Sequence, residues 1–299
     1  ATGLFEQFGL PTELLEGDIV APPIVLGALA ESIQKETGLG PVLVVCVAGH
    51  DTASVVAAIP AEGDNWAFLS CGTWSILGAA RDEPVADPAC LHAGFTNEYT
   101  IGGWYLCHNI SGLWLINELQ RHWSREDASW DFARMTAEAR DAEAGGLIDV
   151  SDASLTAPEN MEQALLAVLA KHNQSAPKSR GQLVRAVLES LALEYAKRLK
   201  VLGTLAGEQY EKVYMVGGGI ANTLLCELTA SACGLPIEAG ANECTAMGNA
   251  LAQGLAVGAV ESLADLRKIM RASVEITTYT PSDADYWQAK LAEYVEMTM

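Results

Sequence analysis

The chain has 299 residues, half of them hydrophobic, with 38 acidic against 18 basic side chains and a formal net charge of −20. So acidic a protein is not expected to bind nucleic acid or an anionic membrane surface, because both repel it. A phosphorylated ligand stays open, since backbone N–H groups often hold phosphates, and no apolar run reaches the roughly 18 residues of a membrane span.

In chain order, residues 1–40 read as a short helix and loops around Pro11 and Pro22-Pro23, then a helix from about Leu29 to Thr37. Pro41 opens a strand over 42–47, whose unbroken apolar run predicts burial on both faces. That strand runs into Gly49-His50-Asp51-Thr52, and the small residues at 52–58 suit a tightly packed helix. Pro60 and "AEGDN" (61–65) end it and mark a boundary between two lobes. "WAFLSCGTWSILGAA" (66–80) predicts two strands around a Gly-containing turn, and 99–109 a second hairpin-like pair around Gly102-Gly103. A helix follows at 111–123, with Ser111 as its cap.

The charged, alanine-rich middle (124–180) holds short helices near 131–143 and 159–171. In the helix at 181–203, Leu183, Val187, Leu191, Tyr195 and Leu199 recur at i+4 as one apolar face. Then come a strand (212–219), a helix (222–232), a strand (236–240) and a helix (243–257), the grammar of an α/β domain. The seven cysteines form no C-x-x-C pair and read as reduced core thiols, which points to a cytoplasmic protein without a signal peptide.

Two segments could cradle phosphate. "VYMVGGGIANTLL" (213–225) sets three glycines where a strand meets a helix, so a ligand can approach the backbone and the helix N-terminus. A tight strand-to-helix turn explains the same glycines. The dinucleotide fingerprint fails, because Asn222 stands where its third glycine belongs, and there is no P-loop. In "LSCGTWSILG" (69–78), the Gly72 N–H and the Thr73 hydroxyl could wrap a phosphate, although such turns are common. Asp51, beside His50 at a strand end, suits a general base, and equally an N-cap for the helix beginning near Thr52. The other histidines (92, 108, 122, 172) show no ligand spacing, and Trp66, Trp74 and Trp114 lie on expected core elements.

The segments "AGHDTASVVAAIPA", "WAFLSCGTWSILG", "HNISGLWLINELQ" and "GGGIANTLLCELTASACGLPIEAGANECTAMGNALAQG" resemble the FGGY carbohydrate kinases, in family order from about residue 7 to 260. The likeness is strongest to the members that phosphorylate L-rhamnulose at its 1-position. It implies an actin-like, ribonuclease-H-like α/β ATPase fold, with the active site in a cleft between two domains and with ATP and Mg2+ as cofactors. Residues 1–62 then match the end of the N-terminal sugar-binding domain, and 63–299 the C-terminal nucleotide-binding domain. No Asp-x-Gly-Thr sequence precedes Ala48, so most of the first domain is expected to be missing, and the chain alone is expected to be inactive.

The resemblance implies that Asp51 is the catalytic base and that His50, Thr52 and Asn109 contact the sugar. It implies nucleotide contacts for Gly72, Thr73, Asn117, Gly217, Gly218, Gly219 and Asn222, and assigns no metal ligand. Asn117 departs from the glutamine of the L-rhamnulose branch. A kinase for L-fuculose or xylulose, and a non-catalytic actin-like nucleotide-binding module, are the competing readings.

Overall fold

The computed structural model describes residues 2–17 and 19–299. It begins with α1 (Thr2–Gln7), a 3-10 turn (Thr12–Leu15), β1 (Ile24–Ala28), α2 (Glu31–Thr37) and β2 (Leu43–Cys46). β1 and β2 form an antiparallel ribbon of their own, with a bulge between Val25 and Gly27. Strand β1 is not visible in the sequence pattern, because the bulge and the positive φ of Gly27 interrupt the period-two alternation. Helix α2 starts at Glu31 rather than Leu29. The double-sided burial expected of β2 fails too: Leu43 and Val44 are 53% and 38% exposed. A two-stranded ribbon has no second layer to cover such a strand.

The rest of the chain runs through α3 (Asp51–Ala58), β3 (Trp66–Cys71), β4 (Ser75–Arg81), α4 (Pro88–Ala93), β5 (Thr96–Thr100) and β6 (Gly103–Ile110). Helices α5 (Trp114–Glu126), α6 (Phe132–Asp141), α7 (Met161–Lys171) and α8 (Arg180–Ala206) come next. The closing elements are β7 (Lys212–Val216), a 3-10 turn (Gly218–Ala221), α9 (Thr223–Cys233), β8 (Ile237–Ala239), α10 (Cys244–Ala256), α11 (Leu263–Ser273), β9 (Thr277–Tyr279) and α12 (Ala284–Met297). β3 to β9 make one mixed seven-stranded sheet in the order β5-β6-β4-β3-β7-β8-β9, with β3, β7 and β8 parallel. Both expected hairpins are present, as are the strand–helix alternations of the C-terminal half.

Alternation along the central strands divides the interior in two. Ala67, Leu69 and Cys71 of β3, with Val213 and Met215 of β7, face the larger core under α8. Trp66, Phe68, Tyr214 and Val216 face a second core shared with α3, α10 and α11. The expected apolar face of α8 is wholly buried, and the helix is capped by Ser179 and ended by left-handed Gly207. Its buried Glu189 and Glu194 pair one turn away with Arg185 and Arg198, at 2.5 and 2.6 Å.

Helix α3 is buried from Thr52 to Ala58, as its small residues predict. It lies so close to α10 that a Cβ on Gly248 would stand 2.2 Å from the Ser54 carbonyl oxygen. All seven cysteines are free, and burial pushes the thiols of Cys107, Cys226, Cys233 and Cys244 up to about 12. No helix among the described residues is long and apolar enough to cross a membrane.

Candidate active site

The parallel strands β3 and β7 end side by side, with Ser70 opposite Val216, and the two glycine-containing segments therefore meet at one edge of the sheet. A Cβ on Gly217, where φ is +86°, would approach the Cys71 carbonyl oxygen to 2.9 Å. On Gly219 it would come within 2.3 Å of Cys71 Sγ. Both glycines are therefore required by packing, as a tight turn demands. Gly218 differs: its Cβ would have no neighbour nearer than Asn242 Oδ1 at 3.8 Å. Of the three, only Gly218 has its Cβ position open rather than packed.

The β3–β4 turn also works differently from the expected phosphate loop. The Gly72 N–H donates to the Trp74 carbonyl at 2.9 Å, so it is spent inside the hairpin. The Gly72 and Thr73 carbonyls accept the N–H groups of Leu113 and Trp114, at 3.0 and 2.9 Å. The hairpin thus caps α5, and Ser111 does not; the left-handed Gly112, jammed against the backbone of residues 73–75, delays the helix to Trp114. Thr73 remains exposed, with its hydroxyl outside this backbone pattern.

Two cavities meet at this edge. The first, about 770 Å3, is lined by His50, Asp51, Thr52, Gly72, Asn109 and Gly217, together with Trp74, Asn242, Glu243 and Thr245. The second, about 800 Å3, is lined by Gly72, Thr73, Asn117, Gly218, Gly219 and Asn222, and closed by Leu113, Ile116, Phe132, Ala133, Ala137 and Arg140. Gly72 and Gly218 belong to both. The structure therefore gathers the residues to which the resemblance gave sugar or nucleotide roles into one polar and one apolar chamber with a common wall.

Asp51 is the first residue of α3, and His50 occupies the cap position, so the N-cap expected of Asp51 is not formed. Its Oδ1 instead accepts the Thr52 N–H at 2.7 Å and lies 3.0 Å from His50 Nε2. The side chain is 73% exposed toward the polar cavity. Asn222 does cap α9, accepting the Leu225 N–H at 3.0 Å, which leaves its side chain partly committed.

Several residues in or beside the cavities escaped the sequence reading. Trp74, placed there in the core, is 54% exposed and faces the polar cavity, because it sits in the hairpin turn rather than on a strand. Trp66 is buried as expected, and Trp114 is half-buried with its indole N–H on the Leu155 carbonyl. Glu98 and Tyr105 face each other across β5 and β6 and reach His50, and an acid at mid-strand opposite a tyrosine was the available signal. Arg140 holds Glu227 through both guanidinium ends, at 2.6 and 3.0 Å, tying α6 to α9 at the margin of the apolar cavity.

His172, given no partner from sequence, lies with Asp149 and Asp152 so that one ligand atom of each is within 4.8 Å of the others. There Lys171 Nζ already contacts Asp152 Oδ2 at 2.6 Å. His108 is structural: its Nδ1 meets the Gly94 carbonyl at 2.7 Å, and burial lowers its pKa.

Residues 67–257 match the C-terminal domain of the FGGY family of carbohydrate kinases. The chain belongs to that family. This FGGY chain is 39% identical over 288 residues to a rhamnulokinase of Bacteroides thetaiotaomicron, covering 96% of the chain and 58% of the relative. It is 34% identical to a rhamnulokinase of Pectobacterium carotovorum, covering 95% of the chain and 56% of that protein. It therefore spans a little over half the length of the curated relatives it matches.

Its fold, the actin-like ATPase fold of the family, is shared with solved structures of low identity. Gluconate kinase from Lactobacillus acidophilus superposes with a TM-score of 0.75 at 17% identity, covering 99% of this chain and 59% of that one. Plasmodium falciparum glycerol kinase with ADP gives 0.74 at 18%, covering 100% of this chain and 59% of that one.

Proposed function

We propose that this chain carries the nucleotide chamber and the catalytic aspartate of an ATP-dependent ketose kinase, with L-rhamnulose converted to L-rhamnulose 1-phosphate as the leading reaction. The observation that carries the proposal is the pair of cavities joined at Gly72 and Gly218. A nucleoside fits the apolar chamber, a sugar fits the polar one, and the transferred phosphoryl group would cross at the shared glycines. The similarity to rhamnulokinases supports the choice of sugar.

In this reading Asp51 takes the proton of the attacking hydroxyl, while His50, Thr52, Asn109 and the exposed face of Trp74 hold the sugar. Phosphoryl transfer asks mainly for positioning and charge neutralisation, so one well-placed base suffices. Thr73, Gly217, Gly218 and Gly219 would surround the phosphates. Asn117 and Asn222 would face the nucleoside in the chamber they line.

The polar cavity presents Asp51 and Glu243 but no lysine or arginine among its lining residues. A triphosphate there needs a cation, and this oxygen donor set suits Mg2+, which is bound largely through phosphates and water. The Glu243 carboxylate and the Thr245 hydroxyl are the groups that would hold it, and the ion would neutralise charge on the phosphates.

We further propose that residues 1–62 close a sugar-binding domain and 63–299 form the nucleotide-binding domain. The exposed apolar side chains of α1, β1 and β2 support two units of different kind, with α3 already packed into the second core beside α10.

The test is an ADP-release assay on the full-length protein with a panel of ketoses, alongside calorimetry with ATP. Turnover with L-rhamnulose above L-fuculose and xylulose is expected. Equal turnover on all three would sink the sugar assignment, and nucleotide binding without turnover on any sugar would favour a non-catalytic module.

A further inference from the structure

A base is useful only if one carboxylate oxygen is kept free for the substrate. Asp51 Oδ1 accepts the Thr52 N–H at 2.7 Å and has the His50 ring edge against it, with Nε2 at 3.0 Å, whereas Oδ2 has no hydrogen-bond partner among the described residues. What holds the imidazole against Oδ1 therefore bears on how the carboxylate is presented. His50 sits in an extended conformation at the cap of α3, where its own backbone leaves the ring about half exposed. Its other nitrogen, Nδ1, lies 2.8 Å from Oε2 of Glu98, which projects from β5 across the sheet edge.

Glu98 is in turn held by two side chains of β6. The Tyr105 hydroxyl, from β6, donates to Oε2 and lies 3.5 Å from His50 Nδ1. Cys107 Sγ, from the same strand, approaches Oε1 at 3.9 Å. Burial, and then the Glu98 carboxylate, push the Tyr105 phenol upward, and burial raises the Cys107 thiol, so both remain neutral donors. The titratable groups facing the imidazole are thus Asp51 from α3, Glu98 from β5 and Tyr105 from β6. The Glu98 side chain is 32% exposed against 73% for Asp51, so water competes less for the Nδ1 contact.

We propose that Glu98 is a positioning residue for the reaction at Asp51. It accepts the Nδ1–H of His50 and sets the plane of the ring, so that the ring edge stands against Oδ1 while Oδ2 stays open to the sugar hydroxyl. This rests on the reading of Asp51 as base. It adds a residue that lines neither chamber and reaches the substrate only through another side chain.

Two variants in the full-length protein test it. Glu98→Ala removes the acceptor, and kcat should fall roughly tenfold to a hundredfold, below the 10²–10⁴ that general acid–base catalysis itself supplies, while KM for ATP holds. Glu98→Gln keeps an oxygen that can accept Nδ1–H and should recover most of that loss. The independent readout is the imidazole spectrum of 15N-histidine-labelled protein. The hydrogen-bonded Nδ1–H resonance of His50, assigned by its loss in His50→Gln, should vanish in Glu98→Ala and persist in Glu98→Gln.

An unchanged Nδ1–H resonance in Glu98→Ala would overturn the proposal. So would an unchanged kcat in Glu98→Ala when Asp51→Asn abolishes turnover. Wild-type turnover in Asp51→Asn would instead sink the base reading, and the catalytic part of this inference with it, whatever the resonance does.

Discussion

The two chambers that share Gly72 and Gly218 are built by opposite means. The polar one is made from chain ends and turns: the start of α3, the β3–β4 hairpin and the outer end of β6 bring Asp51, Trp74 and Asn109 together. The apolar one is made from helix flanks, with α5 and α6 supplying Ile116, Asn117, Phe132 and Ala137. Polar groups at turns are single and irreplaceable, because each is aimed by local backbone geometry. A helix flank offers a surface, on which many side chains would serve. Damage to the first should therefore be chemical and steep, and damage to the second steric and gradual.

The largest effect expected is at the polar wall. Asp51→Asn should lower kcat by about 10²–10⁴ while the Kd for ATP holds, as removal of a general base does. Single-turnover kinetics with calorimetry would check it, and a parallel loss of ATP binding would mean that the two chambers are not separate.

Next comes the shared wall. Gly219→Ala forces a Cβ to 2.3 Å from Cys71 Sγ and should cost roughly 1–3 kcal/mol of stability, as overpacking does. Gly218→Ala meets nothing nearer than 3.8 Å and should leave the melting temperature in place while weakening ATP binding. Equal melting curves for the two variants would refute the distinction between the glycines.

The apolar chamber should respond more mildly. Ala137 is exposed on α6, so Ala137→Phe fills space without disturbing the core. The Kd for ATP should rise about tenfold, roughly 1.4 kcal/mol, with sugar affinity unaltered.

The smallest effect lies outside both chambers. The Lys171 ammonium beside Asp152, and then the Ser154 hydroxyl and N–H, hold the Asp152 carboxyl down to about 2. An unfolded aspartate titrates near 3.9, so this contribution is complete above about pH 4 and lost as pH falls toward 2. Asp152→Asn should therefore be less stable than wild type by a constant amount near neutrality, with the gap closing below pH 4. Urea melts across that range would show it, and catalysis should not change.

Much of this was readable in the chain. The i+4 stripe from Leu183 to Leu199 predicted α8, and the Gly-Thr turn predicted the β3–β4 hairpin, because both patterns are local and of fixed period. Strand β1 was lost to a bulge, and Ser111 was mistaken for a cap because the true partners of the α5 N-terminus lie some forty residues upstream in the Gly72 and Thr73 carbonyls. Trp74 was assigned to the core because hydrophobicity does not say whether a residue is on a strand or at its turn. Glu98 offered only an acid at mid-strand opposite a tyrosine, and Phe132 carried no motif at all.

By itself, then, the sequence determined the family, the order of elements and the residues that gather at the site, since these depend on short-range pattern and motif. Only the tertiary structure decided which atoms those residues present. It alone parts Gly218, free to meet a ligand, from Gly217 and Gly219, locked against Cys71. It alone leaves Asp51 Oδ2 open while Oδ1 accepts the Thr52 N–H with the His50 ring edge beside it. Those distinctions arise from the parallel pairing of β3 with β7 and the packing of α3 beside β5, contacts between stretches far apart in the chain. No local pattern encodes them.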